Sequence, residues 1–268
     1  MPQFDQCVCP LWILVRGKPD LIGSSTILKV QQTRFLITAA HVIDRSMNQA
    51  LLVGSPTGFR QIGGCGKLTL PGSDSRQADR NDIAVIALDE ETASFIEAAY
   101  ASLPIHCVDA NDSFSPGKPY EFYGCPWRKV GSGKSRRVFE PSIYKFKSRS
   151  VAETDYAPLG LSSHKHIAVE FDLKRVVDGN GRAVVAPDPE GMSGGPVWSF
   201  VPADSDGQKM WTRRLAGITI EYISKKRTLV GVRINAPLEC IRVMFPTLSP
   251  SIPANPNLTV ICRDHTHE

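Results

Sequence analysis

Apolar residues fall in short runs along most of the chain, separated by Gly, Pro and polar turn residues. In the first third these runs are Leu11–Arg16, Leu21–Val30, Thr33–Thr38, Ala50–Val53 and Lys67–Leu70. Asp82–Leu88 (DIAVIAL) is almost continuously apolar, the pattern of a strand buried on both faces. A second series follows at Tyr120–Tyr123, Val138–Phe146, Ile167–Phe171, Val197–Phe200, Leu215–Tyr222 and Leu229–Ile234. Closely spaced strands joined by Gly-rich turns predict a barrel or sandwich and exclude a βαβ repeat.

Helical patterns are few. Ala39–Asp44, around His41, reads as a short helical turn, and Glu90–Pro104 as a stretch with one short helix. Ala236–Phe245 (APLECIRVMF) has apolar positions at helical spacing and predicts a C-terminal helix packed on the body. The tail beyond Pro246 is rich in proline and reads as irregular. Between the two strand series, Asn111–Pro119 (NDSFSPGKP) is turn-rich and predicts a domain boundary. The expected organisation is residues 1–110, residues 111–235, and a helix and tail over residues 236–268.

Composition agrees with a folded chain. Of 268 residues, 42% are apolar and 22% charged, and 21 glycines with 20 prolines supply the many turns that short strands need. The net charge of +4 is too small to imply a nucleic-acid partner. It is unevenly spread: Arg128–Arg149 holds eight basic residues against one acidic, a local +7, which leaves −3 for the rest. That segment reads as a solvated loop or as a docking site for an acidic partner, with Tyr144 and Phe146 interleaved among its lysines.

The seven cysteines suggest no disulfide framework. Their number is odd, and Cys7-Val8-Cys9 is too tight for an easy bridge and lacks the second pair of a zinc site. Free thiols in a reducing compartment are expected. No basic stretch precedes the short N-terminal apolar run, and no run approaches the ~18 residues of a membrane span. The expectation is therefore a cytoplasmic protein with no membrane segment. His164-Lys165-His166 is the nearest approach to a metal motif, and a solvated loop accounts for it better. Neither metal nor cofactor is expected.

Three short blocks carry chemistry. Ser193 lies in GMSGGPV (Gly191–Val197), His41 in FLITAAHV, and Asp82 opens DIAVIAL. Acyl transfer by serine requires a hydroxyl nucleophile, an imidazole base, a carboxylate that holds the imidazole tautomer, and N–H donors for the oxyanion. Glycines flanking Ser193 permit a tight backbone that aims the N–H groups of Gly191 and Ser193 at one point. Asp82 leads directly into a buried strand, and a buried carboxylate needs a partner such as a histidine N–H.

TAAH, DIAV and GMSGGP, in that order, resemble the three blocks of the trypsin/chymotrypsin-like serine peptidases, and LAGIT (Leu215–Thr219) resembles the strand that follows the nucleophile. The resemblance spans residues 11 to 235, and the GMSGGP block is closest to bacterial and HtrA-like members. It implies an all-β fold of two six-stranded antiparallel barrels with a C-terminal helix. It also implies a polypeptide substrate, with His41, Asp82 and Ser193 as a catalytic triad and Gly191 and Ser193 as oxyanion donors. By the same resemblance the floor of the primary substrate pocket falls at Pro187, with Asp188 beside it, and its wall at Glu221. Met192 departs from the pattern. Many secreted members carry there an Asp that pairs with a newly exposed N-terminus, and methionine forms no such pair. Control by a regulatory partner is expected instead.

Two rivals differ in chemistry. Gly191–Gly195 also fits G-x-S-x-G, the nucleophile elbow of α/β-hydrolases, but that elbow leads into a helix and needs a downstream histidine. Here Pro196 opens a strand pattern, and only His265 and His267 follow. The other rival is a protease-like fold that has lost catalysis and binds a protein partner.

Overall fold

The structure is a computed structural model, and it describes residues 4–46, 49–70, 79–127, 142–205, 208–255 and 258–266. The chain begins with β1 (Val8–Val15), β2 (Lys18–Val30) and β3 (Thr33–Ala39), then helix α1 (Ala40–Arg45). It continues through β4 (Leu52–Ser55), β5 (Gly58–Gln61), β6 (Gly64–Thr69), β7 (Ile83–Leu88), helix α2 (Glu90–Glu97) and the two-residue β8 (Leu103–Pro104). The second series is β9 (Pro119–Gly124), β10 (Tyr144–Arg149), β11 (His166–Glu170), the small hairpin β12 (Val176–Val177) and β13 (Ala183–Val184), β14 (Pro196–Ser205), β15 (Gln208–Ile223) and β16 (Thr228–Arg233). Helix α3 (Asn235–Met244) and strand β17 (Cys262–Thr266) close the chain.

Apart from the β12–β13 hairpin, the strands form two curled sheets, antiparallel except where the short β8 runs parallel to β2, and this is the all-β organisation the sequence predicts. The first runs β17-β6-β7-β3-β2-β1-β4-β5, with β8 beside β2, and has nine strands where six were expected. The second runs β10-β9-β14-β15-β16-β11 and has six. The difference arises partly at the C-terminus. The tail expected to be irregular supplies a 3-10 turn at Pro246–Ser251 and then β17, which pairs with β6. Helix α3 lies against β6 and β7, so residues 236–268 pack on the first barrel although they follow the second. Local pattern could not show this, because a five-residue strand is held by its partner rather than by its own propensity.

Each sheet buries one face, and the first and larger core also takes Leu215, Ile218, Val230 and Val232 from the second sheet. The first core is aliphatic, with Ile27, Leu28, Leu36, Ile37, Val85 and Ile86 fully buried. The second is aromatic: Phe171 packs edge-on against Phe146 (centroids 4.3 Å apart) and Tyr222 (5.5 Å), beside buried Tyr120, Phe122 and Met192. The second barrel also contains a buried ion cluster. Asp112 pairs with Arg233 and Lys118 and accepts the Tyr120 hydroxyl at 3.0 Å. Burial raises the Asp112 pKa, and the two cations work against that rise.

Register places the functional loops. Ala39, the last residue of β3, pairs with Ile83, the first of β7. His41 just after one strand and Asp82 just before the other are therefore brought side by side. Pro196 starts β14 and pairs with Ile218 of β15, which sets Ser193 at the mouth between the barrels. No helix among the described residues is long and apolar enough to cross a membrane.

Candidate active site

Asp82 is held by what it caps. Helix α1 has no side-chain N-cap of its own, and the first N–H groups of a helix need outside acceptors. Asp82 supplies both: its carbonyl accepts the Ala40 N–H at 2.9 Å and its Oδ1 accepts the His41 N–H at 2.9 Å. Oδ2 is left for the imidazole and meets His41 Nδ1 at 2.6 Å. This short charge-assisted bond fixes the ring and directs Nε2 away from the carboxylate. The aspartate sits at φ 41°, a left-handed conformation that Asp tolerates better than most residues. Burial raises its pKa, opposed chiefly by the hydrogen bond from His41.

The second wall is the Gly191–Gly195 turn. Gly191 and Gly194 both adopt positive φ, at 94° and 92°. A Cβ on Gly194 would lie 1.8 Å from the Ser24 carbonyl oxygen, so only glycine fits there. Met192 is fully buried in the aromatic core. The N–H groups of Met192, Gly194 and Gly195 donate to Pro189, Thr219 and Met192 respectively, at 2.9, 2.7 and 3.0 Å. Among the described residues, no acceptor meets the N–H of Gly191 or Ser193. Ser193 Oγ donates to the Ile220 carbonyl at 3.3 Å, and no hydrogen bond among the described residues joins it to His41.

His41, Asp82, Gly191 and Ser193 line one cleft of about 340 Å³ between the barrels. Of the residues expected in the substrate pocket, Asp188 and Glu221 line this cleft and Pro187 does not. The carboxylate of Glu221 faces Arg80 at 3.9 Å, and Glu190 faces Arg45 at 3.8 Å. Both pairs are half-exposed and contribute little to stability. Asp188 accepts the Glu190 N–H at 3.1 Å, and no basic side chain among the described residues pairs with it.

Several residues at or near the cleft escaped the sequence analysis. Ser24 and Thr26 cross from the first barrel to the Gly191–Gly195 turn, and Arg80 borders the cleft. The readable signal was Ser24-Ser25-Thr26 within LIGSSTIL: three hydroxyls in a strand whose flanks are buried must find partners. His166 corrects an expectation. The sequence pattern places it with His164 in a solvated loop, yet it is 2% exposed while His164 is exposed. Its Nε2 meets the Arg80 carbonyl at 2.7 Å and its Nδ1 accepts the Ser162 N–H at 3.1 Å. It thus ties β11 of the second barrel to the loop that carries Asp82.

Of the basic segment, residues 128–141 lie outside the described residues. In the remainder, Lys145 pairs with Asp5 at 2.5 Å and Lys147 sits over the Phe200 ring at 4.3 Å. None of the seven cysteines forms a disulfide, and none lines the cleft. Burial holds the Cys125 thiol up to about 12 and that of Cys9 higher still, so both are inert at neutral pH.

No family model matches the chain, and no curated protein matches it. Among solved structures it is similar to neuropsin, a serine protease expressed in the limbic system of mouse brain. The two share 16% sequence identity with a TM-score of 0.53, over 93% of this chain and 96% of that one. The fold is thus the two-barrel, chymotrypsin-like fold.

Proposed function

We propose that this protein is a serine endopeptidase that cleaves peptide bonds through an acyl-enzyme intermediate. The observation that carries the reading is one cleft holding the 2.6 Å His41–Asp82 pair, Ser193, and the unengaged N–H groups of Gly191 and Ser193. In this mechanism His41 Nε2 removes the Ser193 proton as Oγ attacks the scissile carbonyl. The developing oxyanion is met by the two N–H groups, and Asp82 stabilises the imidazolium. His41 then returns the proton to the leaving amine, and a water activated by the same ring hydrolyses the acyl-enzyme. Substrate binding turns Ser193 Oγ from the Ile220 carbonyl toward His41, since catalytic hydrogen bonds often tighten only in the complex.

Asp188 gives the cleft an acidic side without a cationic partner, which favours substrates with a basic side chain there. Met192 is packed in the apolar core, so no ion pair forms behind the nucleophile. Control by a partner fits this better than control by zymogen cleavage.

The test is covalent labelling. A fluorophosphonate should add to Ser193, as read by intact mass and peptide mapping, and the adduct should vanish in His41→Ala and Ser193→Ala. Ser193→Ala should keep the fold and lower kcat by about 10⁶, because members of a triad act as a unit. An inert but folded wild type would leave the chain as a protease-like binding module. An adduct elsewhere would remove Ser193 from the chemistry.

A further inference from the structure

We propose that Ser24, a residue of the first barrel, is the positioning residue that holds the nucleophile turn of the second barrel in oxyanion-binding shape. The proposal rests on the serine-peptidase reading and deepens it. Ser24 lies in β2 and is fully buried. Its N–H donates to the carbonyl of Ser193 at 2.8 Å. Its hydroxyl donates to the carbonyl of Gly191 at 2.8 Å, and the same oxygen accepts the Cys125 N–H at 2.9 Å. Thr26 adds a bond to the Gly194 carbonyl at 3.2 Å, and Thr38 holds the Ser24 carbonyl at 2.7 Å.

The consequence follows from the peptide plane. In a trans peptide the C=O and the following N–H point in opposite directions. The carbonyls of Glu190 and Met192 accept bonds from Trp127 N–H at 2.8 Å and Gly195 N–H at 3.0 Å. The N–H groups of those two peptide units belong to Gly191 and Ser193, so both are turned away, and no acceptor among the described residues meets them. Ser24 pins the carbonyl on the other side of each residue, that of Gly191 through its side chain and that of Ser193 through its backbone. Each donor residue is thereby fixed at both of its peptide planes. Gly191 needs this most, because glycine at φ 94° has no side chain to restrain it.

The role requires a hydroxyl rather than merely a small residue. One lone pair takes the Cys125 N–H while the proton goes to the Gly191 carbonyl, and both partners are cut off from water. Alanine leaves a buried donor and a buried acceptor unpaired together.

The test separates this role from general packing. Ser24→Ala should lower kcat by 10- to 100-fold, about the loss of part of one oxyanion donor, with KM within threefold of wild type. Ser24→Thr, which keeps the hydroxyl, should recover most of the rate. A peptidyl trifluoromethyl ketone forms an oxyanion with Ser193, so its affinity should fall in step with kcat/KM in Ser24→Ala. A reduced-bond peptide analogue has no carbonyl oxygen and should bind both proteins equally. If Ser24→Ala does not fold, Ser24→Cys keeps the volume, weakens both hydrogen bonds and should show the same split to a smaller degree. A folded Ser24→Ala enzyme at full rate, or equal weakening of both inhibitors, overturns the role of Ser24 alone. A wild type inert to the ketone and to fluorophosphonate overturns the catalytic reading beneath it.

Discussion

The His41–Asp82 wall and the Ser193 wall of the cleft differ in where their restraints come from. On the first wall the closest restraints are internal to one sheet: β3 and β7 are neighbours, and Asp82 caps the helix that carries His41, with the His166–Arg80 bond reaching the Asp82 loop from the second barrel. On the second wall the nucleophile turn takes three hydrogen bonds from β2 of the other barrel, through Ser24 N–H, Ser24 Oγ and Thr26 Oγ1. The His41–Asp82 pair is thus set mainly by the folding of one barrel. The turn that carries the Gly191 and Ser193 N–H groups is completed by contacts made when the two barrels dock. A site divided in this way should lose chemistry when the first wall is edited, and lose stability or geometry when the contacts between barrels are edited.

The largest effect that would break this contrast is chemical. Asp82→Asn offers His41 an amide and favours the wrong tautomer, so kcat should fall by about 10⁴. Stability should move the other way. Burial raises the folded pKa of Asp82, so its ionised form costs stability that a neutral side chain does not. Thermal unfolding at pH 7 should therefore show a Tm equal to or above wild type. Near-wild-type turnover would remove Asp82 from the triad, and a large drop in Tm would show that the first wall needs the charge to fold.

The next effect is mechanical. Gly194→Ala places a methyl against the Ser24 carbonyl and the Thr38 hydroxyl, at 1.8 and 2.2 Å, on a backbone of positive φ. The two barrels must separate or the turn must rebuild, at a cost on the order of 4 kcal/mol. Urea unfolding should show the midpoint lowered by that free energy divided by the m-value. An unchanged midpoint would mean that the barrels do not meet this closely.

The smallest effect concerns the second tie between barrels, His166. Its pKa is lowered from the ordinary 6.5, first by burial and further by Lys165 and Arg80, against hydrogen bonds with the Arg80 and Ser162 backbones. The unfolded chain therefore binds the proton more readily than the folded one. Stability from the neutral ring is fully present above about pH 6.5 and is lost as pH falls from there toward the lower folded value. His166→Gln keeps a donor near the Nε2 position and cannot titrate. Its Tm between pH 7.5 and 5 should fall less steeply than that of wild type. Parallel curves would assign the acid limb to other groups.

Much of this was legible in the chain itself. The strand series, the short helices at His41 and after Asp89, and the three blocks around His41, Asp82 and Ser193 are local patterns, read from apolar periodicity and from glycines that only a tight turn requires. The limits of the strands shifted by a few residues because their ends are set by neighbours. What the sequence determined by itself was therefore the class of fold and the candidate groups at His41, Asp82 and Ser193, since these depend on residue type at short range. The roles of Ser24 and His166 were decided only by tertiary structure. Their partners are backbone carbonyls 167 and 86 residues away. A carbonyl is the same on every residue and leaves no mark in the sequence, so only the docking of the barrels determines which one a buried hydroxyl or imidazole will meet.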